Sequence, residues 1–132
     1  MTTAKPFLMF QGGMAQRALD LYFATFPDSG MVNVARYAEG EPGPAGSIKL
    51  ALFTLCGREF MCSDSPVKHG FTFTPASSTF VEFDSIPELE RVFGVLSEGG
   101  EVLMPLDNYG FSERFGWIND RFGVSWQLNF AG

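Results

Sequence analysis

The sequence predicts an α+β fold in which the element order β-α-β-β-β occurs twice along one chain of 132 residues. Short apolar or alternating runs, which are typical of strands, outnumber the stretches with helical spacing. Two segments carry apolar residues three and four apart, as an amphipathic helix does, and each follows one strand and precedes three more. One helix covers a single face of a four-stranded sheet. We therefore expect two modules whose curved mixed sheets leave open faces around a central cleft.

The first module begins with an apolar run at residues 6–10, which is most simply a buried strand, and a turn at 11–13 ends it. A helix is expected at 14–26, where apolar side chains repeat on one face. The loop at 39–46 is rich in proline and glycine, which excludes regular structure there. The remaining strands of this module are expected at residues 31–37, 47–55 and 58–62.

The second module opens with a strand at 77–83, after which a helix begins. Ser85 is expected to cap this helix, Glu88 to reach back to the cap amide, and Pro87 to lie in the first turn. A strand at 101–104, a loop at 105–110 and a closing hairpin at 111–130 with its turn at 119–123 complete the module.

The last strand of the hairpin alternates between large apolar and polar side chains. Trp126 and its apolar neighbours are expected to face the helix, whereas Ser125, Gln127 and Asn129 are expected to face the cleft. We place the first module at 1–65, a linker at 66–76 and the second module at 77–132, all within one compact domain.

Composition excludes several classes of function. The net charge is −6 and no basic run is present, which argues against a nucleic-acid partner. No window approaches the roughly 20 apolar residues that span a bilayer, and residues 1–5 do not read as a signal peptide. Cys56 and Cys62 form no Cys-x-x-Cys pair. We therefore expect a cytoplasmic protein with reduced thiols and no membrane partner.

Few side chains suggest catalysis. His69 is the single histidine, so a multi-histidine metal site is excluded, and a packing or surface role competes with acid–base chemistry. Glu59 and Glu82 are either general bases beside the cleft or solvated strand carboxylates. Arg114 lies near Tyr109 and Phe111, and this group either covers a ligand, with Arg114 holding an anion, or forms a dimer contact.

Several motifs carry a family resemblance over nearly the whole chain. They are PFLMF at 6–10, ALDLY at 18–22, FPDS at 26–29, FTFTPA at 71–76 and GWINDRFGVSWQ at 116–127. With these motifs the chain resembles the vicinal oxygen chelate superfamily, which has the glyoxalase and bleomycin-resistance fold, and more closely its PhnB-like branch. The resemblance implies a glyoxalase-like architecture and a homodimer.

Enzymes of this superfamily place four metal ligands on the first and last strands of each half. The resemblance puts these positions at Lys5, Met61, Ser78 and Gln127. Of these residues, Gln127 alone suits a divalent ion, so the usual metal site is expected to be absent. A site made by Glu59, Glu82 and Gln127 with one more donor remains an alternative and would admit a divalent metal.

Three functions follow from the resemblance. The leading one is metal-independent binding of a small molecule in an apolar cleft, with Gln127, Ser78 and Glu59 or Glu82 as polar anchors and no cofactor. The second is a divalent-metal-dependent lyase, isomerase or dioxygenase. The third is the 3-demethylubiquinone 3-methyltransferase activity for which members of this branch are often labelled. We note no glycine-rich strand-to-helix turn that would hold S-adenosylmethionine.

Overall fold

The computed structural model describes all residues from 1 to 132. The chain divides into two compact units, Met1–Thr72 and Phe73–Gly132. Each unit contains one helix and a four-stranded mixed sheet in the order β-α-β-β-β, which confirms the predicted α+β class and the internal repeat. Neither helix combines the length and the apolar character that crossing a bilayer requires.

The first unit is built on a sheet with the strand order β1-β4-β3-β2. Strands β1 and β4 run parallel, and the other two pairs are antiparallel. Its elements are β1 (Phe7–Phe10), α1 (Ala15–Thr25), β2 (Gly30–Arg36), β3 (Ile48–Leu55) and β4 (Arg58–Asp64).

Ring contacts identify the face of this sheet that α1 covers. Phe53 of β3 stacks on Phe60 of β4, with ring centroids 5.6 Å apart, and meets the edge of Phe23 of α1 at 6.0 Å. Both strand rings are buried. Since side chains alternate along a strand, Glu59 and Met61 lie on the opposite face, which we call the open face.

Asp64 closes β4 and fixes the start of α1. Its Oδ1 atom accepts a hydrogen bond from the Ala15 amide and its Oδ2 atom accepts one from the Ile48 amide, both at 2.9 Å. Met14 supplies no side-chain cap, so this carboxylate from another strand takes that role. The predicted end of β4 at residue 62 was therefore too early, because pairing continues to Asp64 opposite Phe10.

The second unit repeats the arrangement with the strand order β5-β8-β7-β6, and here β5 and β8 are the parallel pair. Its elements are β5 (Thr79–Glu82), α2 (Ile86–Ser97), β6 (Glu101–Asp107), β7 (Arg114–Asn119) and β8 (Ser125–Phe130). Helix α2 buries Leu89, Val92 and Leu96, which are three and four residues apart, as expected for an amphipathic helix.

Only one of the two hydrogen bonds predicted for the N-terminal cap of α2 forms. The Ser85 hydroxyl accepts a hydrogen bond from the Glu88 amide at 3.3 Å, and a proline occupies the first turn. The Glu88 carboxylate, however, pairs with Arg91 at 2.7 Å instead of returning to the cap amide. A guanidinium one turn away offers a stronger, charge-assisted partner than a backbone amide does.

The loop predicted at 105–110 was wrong at its start, because β6 continues through Pro105 to Asp107. Strand β6 lies at the edge of the sheet, where a residue without an amide hydrogen breaks no ladder bond. The register with β7 shifts between Met104 and Asp107, which accommodates the proline.

The turn between β7 and β8 is organised by Asp120, which is buried. Its Oδ1 atom accepts from the amides of Phe122 at 2.8 Å and Val124 at 3.1 Å. Its Oδ2 atom accepts from the Trp126 indole nitrogen at 2.9 Å. These bonds tie the turn to the helix-facing core of the second unit and explain why the hairpin forms at this place.

Candidate functional site

The open face of the first unit carries three of the predicted site residues. Phe7 lies opposite Met61 in the parallel pair, which brings Lys5 alongside Glu59 two residues earlier. The Lys5 ammonium and the Glu59 carboxylate form an ion pair at 3.6 Å. Met61 is half-buried, whereas Phe7 is 51% exposed. This face is therefore largely apolar, with one ion pair at its end.

The open face of the second unit carries Ser78 and Gln127. The Gln127 amide donates a hydrogen bond to the Ser78 hydroxyl at 2.7 Å. Trp117 lies directly opposite Gln127, and its indole nitrogen donates to the Ser125 hydroxyl at 2.9 Å. Of the four positions predicted from the superfamily, Ser78 and Gln127 are hydrogen-bonded to each other, whereas Lys5 pairs with Glu59 and Met61 lies opposite Phe7.

Further along the same face lies a buried amide. Asn129 pairs with Glu82 on one side and with Phe115 on the other. It is 6% exposed, and its Oδ1 atom is buried without a hydrogen-bond partner. Glu82, by contrast, is exposed. Buried polar atoms are nearly always paired, so this acceptor requires an explanation.

Phe115, which lies opposite this amide, contacts three further rings, and the four together form what we call the aromatic cluster. Phe115 is 4% exposed and lies at its centre. The ring centroids of Phe80, Tyr109 and Phe111 lie 6.3, 6.1 and 5.0 Å from that of Phe115. Phe80 and Phe111 are 51% and 63% exposed, so the cluster presents apolar surface to solvent.

Arg114 does not belong to this face. Its guanidinium forms an ion pair at 3.4 Å with Glu90 of α2. Gly116, two residues further on the same side of β7, is so close to α2 that an added Cβ would lie 2.7 Å from the Phe93 ring. The proposed anion-holding role of Arg114 therefore lacks support in its position.

The two cysteines differ in burial and in acidity. Cys62 is fully buried on the helix side of β4. Burial, and to a smaller extent the Asp64 charge, raises the pKa of its thiol to about 12. Cys56 is exposed in the turn before β4, and partial burial with the nearby Asp28 charge raises its pKa as well. Neither thiol has the lowered pKa of a nucleophile.

The contacts of His69 fit a packing role better than an acid–base role. Its Nε2 atom lies 2.9 Å from the Ser65 hydroxyl, and its ring stacks on Phe71 with centroids 4.8 Å apart. The Gln11 side chain accepts from the His69 amide and donates to the Phe71 carbonyl. Because the Ser65 hydroxyl also donates to the Val67 carbonyl at 2.9 Å, the histidine is best placed to donate to Ser65 rather than to deprotonate it.

The first unit also contains a cavity of about 900 Å³ beside the start of α1. Its wall includes Arg36, whose guanidinium donates to the Gly46 carbonyl and to the Gln16 side chain at 3.0 and 2.6 Å. The turn that enters α1 here contains Gly12 and Gly13, each with φ of +72°. The turn predicted at residues 11–13 therefore leads directly from β1 into α1.

The residues at the four superfamily positions do not suit a divalent ion. A protonated lysine has no lone pair to donate, and a thioether is a poor ligand for hard ions. A serine hydroxyl and a glutamine amide are neutral metal ligands, and in this chain the two side chains are hydrogen-bonded to each other. No group of three or more His, Cys, Asp or Glu side chains is placed to hold a metal.

Reading the sequence alone missed Phe80, Phe115 and Asn129 as site residues. The alternation in β8 did place Asn129 on the face of Gln127, as the structure has it. The partners of Asn129 depend on strand register, which the amino-acid pattern does not specify for β5 and β7.

The two β-α-β-β-β units define a protein with the glyoxalase-like fold. The fold matches a glyoxylase/bleomycin resistance protein/dioxygenase domain from Frankia sp. EAN1pec with a TM-score of 0.65 at 13% identity, covering 100% of this chain and 93% of that one. The chain belongs to the family described as 3-demethylubiquinone-9 3-methyltransferase, whose sequence model matches residues 2–129.

One solved structure relates the chain to PhnB proteins, and one curated sequence is a more distant relative. The structure of a PhnB protein from Bacillus cereus is 48% identical with a TM-score of 0.94, and the match covers 98% of this chain and 100% of that one. Protein YjdN of Escherichia coli strain K12 is 26% identical over 136 residues, covering 94% of this chain and 92% of its own length.

Proposed function

We propose that this protein binds a small organic molecule on the open faces of its sheets and does so without a metal ion. The observation that carries the proposal is the state of the four superfamily metal positions. Lys5 is in an ion pair with Glu59, and Gln127 is hydrogen-bonded to Ser78. These residues stabilise one another and present no converging set of anionic ligands.

The character of both faces supports an organic ligand. Phe7 and Phe80 occupy equivalent places in β1 and β5, and each is 51% exposed. Apolar walls with a few polar anchors are the usual lining of small-molecule sites. Because Gln127 donates to Ser78 through its amide nitrogen, its carbonyl oxygen can accept a hydrogen bond from a ligand. The exposed Glu59 and Glu82 carboxylates are further acceptors.

Metal titration is the first test. We expect no stoichiometric binding of Ni, Co, Zn or Mn by calorimetry, because the side chains at the four superfamily positions are neutral or cationic. Stoichiometric binding that disappears in the double variant Gln127→Ala and Glu59→Ala would overturn metal independence and favour a metal-dependent lyase, isomerase or dioxygenase.

The two tryptophan indole groups give a direct test of ligand binding. The Trp117 indole lies on the open face, whereas the Trp126 indole is bonded to Asp120 on the helix side. In an NMR titration with neutral organic fragments, we expect the Trp117 indole signal to shift and the Trp126 signal to stay. Fragments that shift neither signal, nor the Gln127 side-chain amide, would contradict binding on this face.

The family description favours one second candidate, a methyltransferase. The turn at Gly12 and Gly13 precedes α1, but the first helical amide, that of Ala15, already donates to Asp64. Calorimetry with S-adenosylmethionine separates the candidates. Saturable heat with one site per chain would support the methyltransferase, and its absence would leave the binding protein.

A further inference from the structure

We propose that the ligand of the second unit is a neutral, flat aromatic molecule carrying an O–H or N–H donor, which stacks on the aromatic cluster and donates to Asn129 Oδ1. This inference rests on the proposed function and specifies its ligand. It combines one buried acceptor that lacks a partner with a set of exposed rings beside it.

The acceptor is the stronger of the two observations. Asn129 is 6% exposed, and its Oδ1 atom is buried without a hydrogen bond. Leaving such an atom unpaired destabilises a folded protein, whereas an apolar side chain of similar shape would not. A ligand O–H or N–H group that reaches the atom restores the missing bond.

The rings beside Asn129 determine the shape of the ligand. Phe115 lies opposite Asn129 and is covered by the other members of the cluster. Tyr109 and Phe111 are stacked with centroids 6.4 Å apart, and both are exposed to solvent. Aromatic rings associate by offset stacking or edge contact, so a planar ring is the partner that this surface fits.

Charge excludes an anionic ligand. The exposed carboxylate of Glu82 belongs to the residue paired with Asn129 across β5 and β8. Arg114, which would have balanced an anion, lies on the helix side with Glu90. A carboxylate or phosphate at Asn129 would therefore meet a like charge without a nearby counter-ion.

Access to the acceptor requires one ring to move. Phe111 lies in the loop between β6 and β7 and is 63% exposed, so its side chain loses little on rotating outwards. The ligand ring can then take the place that Phe111 holds against Phe115 at 5.0 Å. Aromatic contact is thereby exchanged rather than lost.

The test compares phenol with anisole, which have the same ring but differ in the O–H donor, and with benzoate as the anionic probe. NMR titration should give phenol about fivefold tighter binding than anisole, the effect of one net hydrogen bond. Benzoate should bind more weakly than both. In Asn129→Leu we expect phenol and anisole to bind equally, and the melting temperature without probe to rise by a few degrees.

Two controls accompany this test. The melting temperature of Asn129→Leu without probe should not fall, which guards against equal affinities caused by misfolding. Asn119→Leu removes another amide whose Oδ1 atom is buried and unpaired, but at the far end of β7 from Phe115. It should leave the ratio of the two affinities unchanged.

The outcomes separate the inference from the proposed function. Equal binding of phenol and anisole to the unmodified protein, with the Trp117 signal shifted, would refute the donor requirement and leave small-molecule binding intact. An unchanged ratio in Asn129→Leu would remove Asn129 as the acceptor. If neither these probes nor other neutral fragments shift the Trp117 signal, the proposed binding on the open face of the second unit is itself refuted.

Discussion

Three buried polar side chains differ in whether their atoms have partners. The Asp64 carboxylate accepts from two backbone amides, and the Asp120 carboxylate accepts from two amides and one indole. The Asn129 Oδ1 atom accepts from none. Carboxylates whose oxygens all accept hydrogen bonds organise turns and helix ends. An amide oxygen without a hydrogen-bond partner, beside exposed rings, suits recognition of a ligand.

Because the pKa of the Cys62 thiol is raised, the folded protein should lose stability at alkaline pH. The folded protein keeps this proton up to about pH 12, whereas the unfolded chain releases it near the ordinary value of 9.0. Between these values the unfolded state binds fewer protons, so the free energy of unfolding falls as pH rises. We expect a loss of up to about 1 kcal/mol per pH unit from this group.

Urea denaturation at several pH values between 9 and 11, compared with the Cys62→Ala variant, measures this loss. The variant should be less stable at pH 7 because it leaves a cavity, but its stability should fall less steeply above pH 9. Cys56 is present in both proteins, so its own titration cancels. Parallel curves for the two proteins would show that Cys62 titrates normally in the folded state.

Elements whose signals are local could be predicted from the sequence, and elements that depend on distant partners could not. Helix α2 begins where Ser85 and Pro87 predict, because its cap lies within one turn. Helix α1 has its cap on Asp64, 49 residues away from Ala15, which no local motif reveals. The extension of β6 through Pro105 likewise depends on its place at the edge of the sheet.

The same difference between local signals and distant partners applies to the candidate site. Alternation within β8 placed Gln127 and Asn129 on one face, and in the structure Gln127 is hydrogen-bonded to Ser78. The location of Arg114 depends on its pairing with Phe130 across β7 and β8, which puts it on the helix side. Register is a property of paired strands and not of one strand.

Two glycines at the ends of the same helix-to-strand segment should respond to alanine in opposite ways. Gly94 lies exposed inside α2 with open space around it, so Gly94→Ala should stabilise by about 0.5–1 kcal/mol through helix propensity. Gly100 precedes β6, and a Cβ there would clash with the Asn119 carbonyl oxygen and lie 2.8 Å from the Asp120 carbonyl carbon. Gly100→Ala should therefore destabilise by at least about 2 kcal/mol.

Chemical denaturation followed by circular dichroism compares the two variants directly. The comparison is internally controlled, because both changes add the same methyl group within one unit. A Gly100→Ala protein as stable as the unmodified chain would mean that β6 can move away from the β7–β8 turn. A destabilised Gly94→Ala protein would mean that this part of α2 is covered by something other than solvent.

At the scale of the whole molecule, the repeated module supports different chemistry in its two copies. The first unit places an ion pair and apolar side chains on its open face, and the second places an aromatic cluster with a buried amide. The shared element order thus provides equivalent positions, and the residues at those positions decide what each face can bind.

The size of the units leads to a prediction about unfolding. The two units, Met1–Thr72 and Phe73–Gly132, have no disulfide, and cores of this size rarely supply more than about 3–5 kcal/mol alone. We therefore expect the chain to unfold in one cooperative transition. If the homodimer implied by the family resemblance forms, the midpoint should also rise with protein concentration.

The chain carries a separate reporter in each unit, since both tryptophans lie in the second and both cysteines in the first. Fluorescence in a urea titration follows Trp117 and Trp126, and thiol labelling in a Cys56→Asn background follows exposure of Cys62. Asparagine suits position 56 because its φ is 53° and a glycine follows, as in a type I′ hairpin turn. Coincident midpoints support a single transition. Midpoints that separate, with Cys62 labelled before the tryptophan signal changes, would show that each unit is stable by itself and that the repeat consists of two independent folding domains.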